Sequence, residues 1–160
     1  MHIAIEGLDG VGKTATAKHL AKHLGWTCIE KPLSHLLDPL SGTTNYMRLI
    51  PYINEYIHND MRTLFYWEEL AEMSLQSEMQ NIISDRYLAS MYAINFEEKH
   101  RPFFDYLMEL FHKTLLTVVL YADTETHRQR IYHRNANDPD LRKSILEERY
   151  QKIRDVCYTL

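Results

Sequence analysis

The chain has 160 residues, 45% hydrophobic and 25% charged, the composition of one ordinary globular domain with a sizeable core. Its net charge of −4 argues against a general nucleic-acid binder, which would be basic. Cys28 and Cys157, in no metal-ligand spacing, read as buried or incidental thiols in a reducing compartment. No apolar run approaches the roughly 20 residues of a membrane span, and no leader precedes the first strand, so the expectation is a cytoplasmic protein with neither membrane nor nucleic acid as partner.

In chain order, His2 to Glu6 (HIAIE) is a short apolar run ending at a glycine, as a buried parallel strand does. Ala17, Leu20, Ala21 and Leu24 recur at helical spacing from Lys13 to Leu24, and Gly25 stops that helix. Thr27 to Glu30 is a second strand halted by Pro32, and Asp38 to Asn45 reads as loop. Residues 46 to 80 read as helix broken near Pro51, with Met61, Leu64, Phe65, Ala71, Leu75 and Met79 on one face. Asn81 to Asp85 is a third strand ending in an acid, and helices are expected over about 87–96 and 102–113. Leu115 to Tyr121 (LLTVVLY) is the clearest strand, rich in β-branched residues. Helices over about 124–134 and 140–158 close the chain, separated by the polar stretch RNANDPD. Strands alternating with helices predict a parallel α/β sheet, and right-handed crossovers favour the strand order 2-3-1-4. No repeat or linker divides the chain, so residues 1–160 form a single domain in this reading.

The stretch GLDGVGKT matches G-x-x-x-x-G-K-[ST] at Gly7, Gly12, Lys13 and Thr14, between a strand and a helix. Successive backbone N–H groups in such a loop converge on phosphate oxygens, and the helix that follows aims its positive dipole end at the same anion. Gly7, Gly10, Val11, Gly12, Lys13, Thr14 and Ala15 are therefore the candidate nucleotide-phosphate residues, with Lys13 reaching the terminal phosphates and Thr14 available to Mg²⁺. Asp85, at the carboxyl end of a strand where open sheets bind ligands, is the second candidate Mg²⁺ ligand. Arg86 follows it and can neutralise phosphoryl charge in a bidentate manner.

Six of the ten arginines fall between Arg128 and Arg154. Arginines on a helical hairpin can close over a triphosphate, and Arg130 and Arg134 are the first candidates. For any single arginine a solvated helix face paired with Glu147 or Glu148 is the plainer reading. His19 and His23 share a helix face but have no acidic partner, which points to solvent rather than a metal. Tyr66 and Trp67 can stack a base, although aromatics at helical spacing more often build core. Asp9 projects from a loop already committed to phosphate and is a candidate acceptor contact.

With these residues in hand, the chain resembles the thymidylate kinase and deoxynucleoside kinase family of P-loop kinases. The matching stretches are IEGLDGVGKT, SDRYLAS (Ser84 to Ser90), VVLYADTETHRQRIYHR (Val118 to Arg134) and ERYQKIRDVCY (Glu148 to Tyr158). No N-K-x-D guanine motif occurs, which disfavours a GTPase. The resemblance implies a P-loop kinase fold with a helical lid over about 128–142, ATP as donor, Mg²⁺ as cofactor, thymidine monophosphate as acceptor, and a homodimer formed by helices. It further implies that Asp9 lies near the acceptor sugar, Asp85 near Mg²⁺, and Arg86 on the acceptor or transferring phosphate. Tyr66 and Tyr87 are candidate acceptor contacts, and the lid arginines would supply catalytic charge.

The chain departs from that family in three places. It has IEKP (Ile29 to Pro32) where an arginine usually precedes Glu-Pro, and Glu68 and Glu69 where an Asp–Arg pair is usual. It also ends at Leu160, without the fifth strand and closing helix expected of the family. Two alternatives therefore stand beside a monophosphate kinase. One is a nucleoside kinase in which Glu30 accepts the proton of a 5′-hydroxyl; the other is a shortened nucleotide-binding regulatory module. Glu30 and Lys31 end the second strand and are candidate acceptor residues in either kinase reading.

Overall fold

The computed structural model describes residues 1–30, 33–38, 44–95, 97–111, 114–136, 141 and 143–159. Its centre is a four-stranded, all-parallel sheet in the order β2-β3-β1-β4, formed by β1 (His2–Gly7), β2 (Thr27–Ile29), β3 (Ile82–Asp85) and β4 (Leu116–Leu120). This is the order expected from the sequence. The helices are α1 (Lys13–Leu24), α2 (Ser34–Leu37), α3 (Thr44–Tyr56), α4 (Asn59–Met79), α5 (Leu88–Asn95), α6 (Arg101–Leu110), α7 (Thr124–Arg134) and α8 (Lys143–Thr159). A 3₁₀ turn over Glu98–His100 leads into α6. The short α2, that turn and the start of α3 at Thr44 lie where the sequence suggested loop or nothing, and the strands are trimmed by a residue at several ends.

The two-residue period of β1 decides which side chains meet which helices. Ile3 and Ile5 share one core cluster with Ile83 of β3 and Ala17 and Ala21 of α1. Ala4 faces the opposite side, in a cluster with Ile82, Trp67, Leu70 and Met73 of α4, and Leu88 and Met91 of α5. A third cluster joins Ala89 and Ala93 of α5, Ile131 of α7, and Leu146, Ile153 and Val156 of α8. Each fully buried aliphatic side chain contributes about 1.5–3 kcal/mol of burial, so the sheet is clamped from both faces. Because the strands are parallel and in register, with Ile5 opposite Asp85 and Gly7 opposite Leu120, their carboxyl ends gather on one edge.

Two expectations along α3 and α4 are corrected. Pro51 lies inside α3, and the break falls at Ile57 and His58 instead. Proline removes a single hydrogen bond from α3, while Tyr46 and Ile53, both buried, anchor the helix on either side of it. His58 then caps α4, its ring accepting from the Asp60 N–H at 3.4 Å. The buried face of α4 is Thr63, Trp67, Leu70, Met73 and Ser77, whereas Met61, Leu64, Leu75 and Met79 are exposed. Two apolar stripes run along this helix, and the one carrying Trp67 has the larger surface to bury.

Candidate functional site

The loop after β1 forms a phosphate-sized turn because its glycines take conformations other residues rarely adopt. Gly10 and Gly12 have φ of +83° and +103°. At Gly7 (φ +135°) a Cβ would stand 2.6 Å from the Leu120 carbonyl oxygen, so β1 and β4 can approach only through glycine. Gly12 caps α1, whose first turn carries no acid, and its carbonyl accepts from the Thr16 N–H at 3.0 Å. Val11 is half-buried in the turn, while Thr14 and Ala15 are exposed on the first turn of α1.

Lys13 is 5% exposed, and its ammonium donates to the Leu8 carbonyl at 2.6 Å and lies 3.6 Å from Asp9 Oδ1. Burial, helped by the nearby Arg86 charge, lowers its pKa to about 8, against the opposing pull of Asp9, Asp85 and Glu6. Asp9 is pushed up by burial, but Arg86, Lys13 and Arg134 outweigh this and hold it below the usual carboxylate range. The crest of the loop therefore carries a fixed anion between three cations.

Strand alternation also aims Asp85. It shares a face with Ile83, toward α1, and its Oδ2 accepts from the Thr14 hydroxyl. Its Oδ1 is buried with no hydrogen-bond partner. A hydroxyl and a carboxylate with one oxygen unused are hard donors of the kind Mg²⁺ takes, with water and phosphate completing its octahedron. Among the described residues no cluster of three or more His, Cys, Asp or Glu side chains could hold a metal.

Arg86 follows at φ +79°, the one described non-glycine residue with positive φ. Its guanidinium donates to Asp9 Oδ1 and its N–H to the Ile5 carbonyl at 3.0 Å. The opposite face of β1 holds this turn in place. Glu6, 1% exposed, accepts from the N–H groups of Tyr87 at 3.0 Å, Ala89 at 3.1 Å and Ser90 at 3.1 Å, and from the Ser90 hydroxyl. It satisfies the orphan donors at the start of α5 from a strand 80 residues away in sequence, a role the sequence reading missed. The E-G preceding the loop is the signal that could have pointed to it.

The helix α7 sits over the loop. Arg130 reaches the carbonyls of Gly10 at 3.5 Å and Val11 at 3.4 Å. Arg134 adds positive charge near Asp9. His127, 1% exposed, bonds through Nε2 to the Asp9 carbonyl and was also missed. Its i,i+4 spacing to buried Ile131, in a helix capped by Asp123, marks it as facing inward. Arg128 turns away to the Leu141 carbonyl at 3.0 Å, and Arg154 lines a cleft with Leu8, Tyr121, His127 and Tyr150. Arg142 and residues 137–140 of the expected lid lie outside the described residues.

On the acceptor side, Glu30 follows β2 on the same sheet edge and pairs with Lys18 Nζ at 2.9 Å. Lys31 lies outside the described residues. Tyr66 is half-buried, its hydroxyl donating to Asn54 Oδ1 at 2.7 Å, whereas Trp67 is core. Tyr87 is a correction: its side chain is 1% exposed and packs edge-on to His2 with ring centroids 4.5 Å apart. With its N–H tied to Glu6, it supports the Asp85–Arg86 turn from beneath. Beside Tyr66, Glu69 is 3% exposed and accepts from the Tyr46 hydroxyl at 2.5 Å.

Residues 3–153 match a family model described as AAA domain. The chain is 30% identical over 173 residues to a probable thymidylate kinase of Thermoplasma acidophilum, aligned across 98% of this chain and 80% of that relative. Among solved structures, the deoxyadenosine kinase of M. mycoides superposes with a TM-score of 0.66 at 17% identity, covering 99% of this chain and 84% of that one. The thymidylate kinase of Candida albicans superposes with a TM-score of 0.65 at 19% identity, covering 97% and 76%. These two share the fold. Taken with the family model, the sequence match shows that the chain belongs to the thymidylate kinase family of P-loop proteins.

Proposed function

We propose that this chain is a single kinase domain that transfers the terminal phosphoryl group of ATP to a nucleoside monophosphate. The observation that carries the reading is Arg86. Its guanidinium uses one N–H group on Asp9 and has no other side-chain hydrogen bond among the described residues, beside a buried Lys13. A monophosphate brought against a triphosphate needs such cations, because two anions at contact repel by several kcal/mol at a protein-like dielectric. A 5′-hydroxyl needs instead a base for its proton, and the carboxylate nearest that description, Glu30, is paired with Lys18.

The loop N–H groups, the start of α1 and Lys13 hold the donor's β- and γ-phosphates. Thr14 and Asp85 would hold Mg²⁺, which would supply positive charge to the phosphoryl group. Arg86 holds the acceptor phosphate in line, Asp9 orients Arg86, and Arg130 and Arg134 offset charge from the α7 side. An acceptor phosphate oxygen then forms the new bond to the γ-phosphorus as the bond to the ADP oxygen breaks. Thymidine monophosphate is the acceptor implied by the family resemblance. The exposed stripe of Met61, Leu64, Leu75 and Met79 on α4 supports a homodimer joined through helices, which the molar mass in solution tests.

The test is ADP release with ATP and Mg²⁺ against a panel of nucleosides and nucleoside monophosphates. Transfer to a monophosphate is expected, with Arg86→Ala raising the acceptor KM and lowering kcat by tenfold or more. Release with nucleosides alone would overturn the reading.

A further inference from the structure

A polar seam runs between α3 and α4 toward Arg86. It consists of Tyr46 and Asn54 from α3 with Arg62, Tyr66 and Glu69 from α4, which lie on one face of that helix at i, i+4 and i+7. Arg62 donates to the Asn54 carbonyl at 3.1 Å and Tyr66 to the Asn54 side chain at 2.7 Å, so these three form one hydrogen-bonded group, and Tyr46 with Glu69 forms a second. The Arg86 charge acts on Tyr46, Tyr66 and Glu69, so the seam lies within the field of that guanidinium.

Glu69 does not fit a purely structural role. A carboxylate that is 3% exposed normally has its oxygens saturated by donors, as those of Glu6 are. Glu69 has one bond, from Tyr46 to Oε1, and Oε2 has no hydrogen-bond partner among the described residues. Burial raises its pKa to about 7, only partly opposed by the Tyr46 hydroxyl and Arg86. An ionisable side chain held this way near Arg86, with one acceptor oxygen unused, is an arrangement that a ligand donor completes.

We propose that Glu69 is the specificity-determining residue for the acceptor base, with Oε2 accepting from an exocyclic amino group, so that cytosine, adenine or guanine monophosphates are taken in preference to thymidine monophosphate. The inference rests on the kinase reading above and names the substrate class of that same site. Cytosine, adenine and guanine each present an amino donor on the base edge. Thymine presents carbonyl oxygens flanking a single N–H, and these oppose a carboxylate whose other oxygen is already occupied. Tyr46 is the positioning residue: its hydroxyl occupies Oε1 and leaves Oε2 as the oxygen available to the base.

The test measures the binding of dCMP, dAMP, dGMP and dTMP by calorimetry and, separately, ADP release with each. At least one amino-bearing monophosphate is expected to bind and turn over tenfold or more better than dTMP. Glu69→Gln, which is isosteric, should remove most of that preference through KM while leaving the KM for ATP unchanged. Tyr46→Phe should weaken the preference without abolishing binding. Equal or tighter binding of dTMP to the unmodified chain, or an unchanged preference in Glu69→Gln, would overturn the proposal. Absence of turnover with every acceptor would instead count against the kinase reading, and the binding order would still decide the base.

Discussion

The two ends of the crevice are built on opposite electrostatic terms. At the phosphate end, Lys13, Arg86 and Arg134 surround Asp9, so charges are close, mutually compensated and ready for an anion. At the base end, Glu69 is nearly buried with a single hydrogen bond and an electrostatic cost that nothing described fully offsets. In the proposed reading the first end binds what every phosphoryl donor shares, and the second selects the acceptor base. Cations near phosphate add affinity, whereas an uncompensated polar group buried in a seam discriminates, because a wrong partner leaves it unpaired.

Removing Lys13 should break the phosphate end most completely. Lys13→Ala is expected to lower kcat/KM by about 10³-fold or more, roughly 4 kcal/mol of transition-state stabilisation, while leaving the fold intact. Its only described direct partners are the Leu8 carbonyl and Asp9, both in the loop itself. Steady-state kinetics together with a melting curve check both halves. Its pKa of about 8 adds a sign: an arriving phosphate raises that pKa, so ATP binding takes up a proton above pH 8 and weakens as pH rises further. Calorimetry at pH 8.5–9 in buffers of different ionisation heat should read that uptake.

The next largest effect should come from the scaffold beneath both ends. Glu6→Gln replaces one of the two accepting oxygens by an amide NH2, which then faces either the Tyr87 and Ala89 N–H groups or the Ser90 N–H and hydroxyl, and removes the negative charge that faces that helix dipole. A loss of about 2–3 kcal/mol in stability is expected from unmatched buried donors. Because the same contacts hold the Asp85–Arg86 turn, acceptor KM should rise as well. Normal melting with normal kinetics would remove Glu6 from this role.

The base end can be tested through stability alone. The folded pKa of Glu69, about 7, lies above its ordinary value of 4.5, so the folded chain keeps a proton that the unfolded chain has lost. The stability linked to that proton is fully present below pH 4.5 and is lost as pH rises through 7. At pH 8 Glu69→Gln should therefore melt higher than the unmodified chain, by up to about 3 kcal/mol at 1.36 kcal/mol per pKa unit, with the difference fading toward pH 5. An equal difference at both pH values would mean that the carboxylate is compensated in the fold.

The same contrast explains what the sequence made legible. The phosphate end is local: Gly7, Gly12, Lys13 and Thr14 are bound to one another by spacing, and strand alternation carries Asp85 to Thr14. The sheet order follows from short strands joined by right-handed crossovers. The base end is not local. Glu69 reads as one more acid on a surface helix until Trp67, Leu70 and Met73 are known to face the core and turn it inward. Tyr87 looked like a ligand contact beside Asp85 and Arg86, yet the positive φ of Arg86 and the Glu6 cap carry its ring into the core. Periodicity along α4 picked out the stripe of Met61, Leu64, Leu75 and Met79, and only the neighbours present in the fold favour the other stripe, which carries Trp67.

The smallest expected effect separates the two kinase chemistries. Glu30 ends at the same sheet edge as Asp85, and its carboxylate pairs with the exposed Lys18 at 2.9 Å. If the acceptor is a monophosphate, its attacking oxygen already carries negative charge and no base is needed, so Glu30 contributes at most orientation and local charge. Glu30→Gln should then cost less than about tenfold in kcat, under 1.4 kcal/mol. If the acceptor were a 5′-hydroxyl, the pair with Lys18 would have to open, and a general base would supply about 10²-fold or more. A loss of that size with a nucleoside acceptor would transfer the assignment to a nucleoside kinase. It would leave the phosphate end as described, because Lys13, Thr14 and Asp85 act on the donor in either reaction.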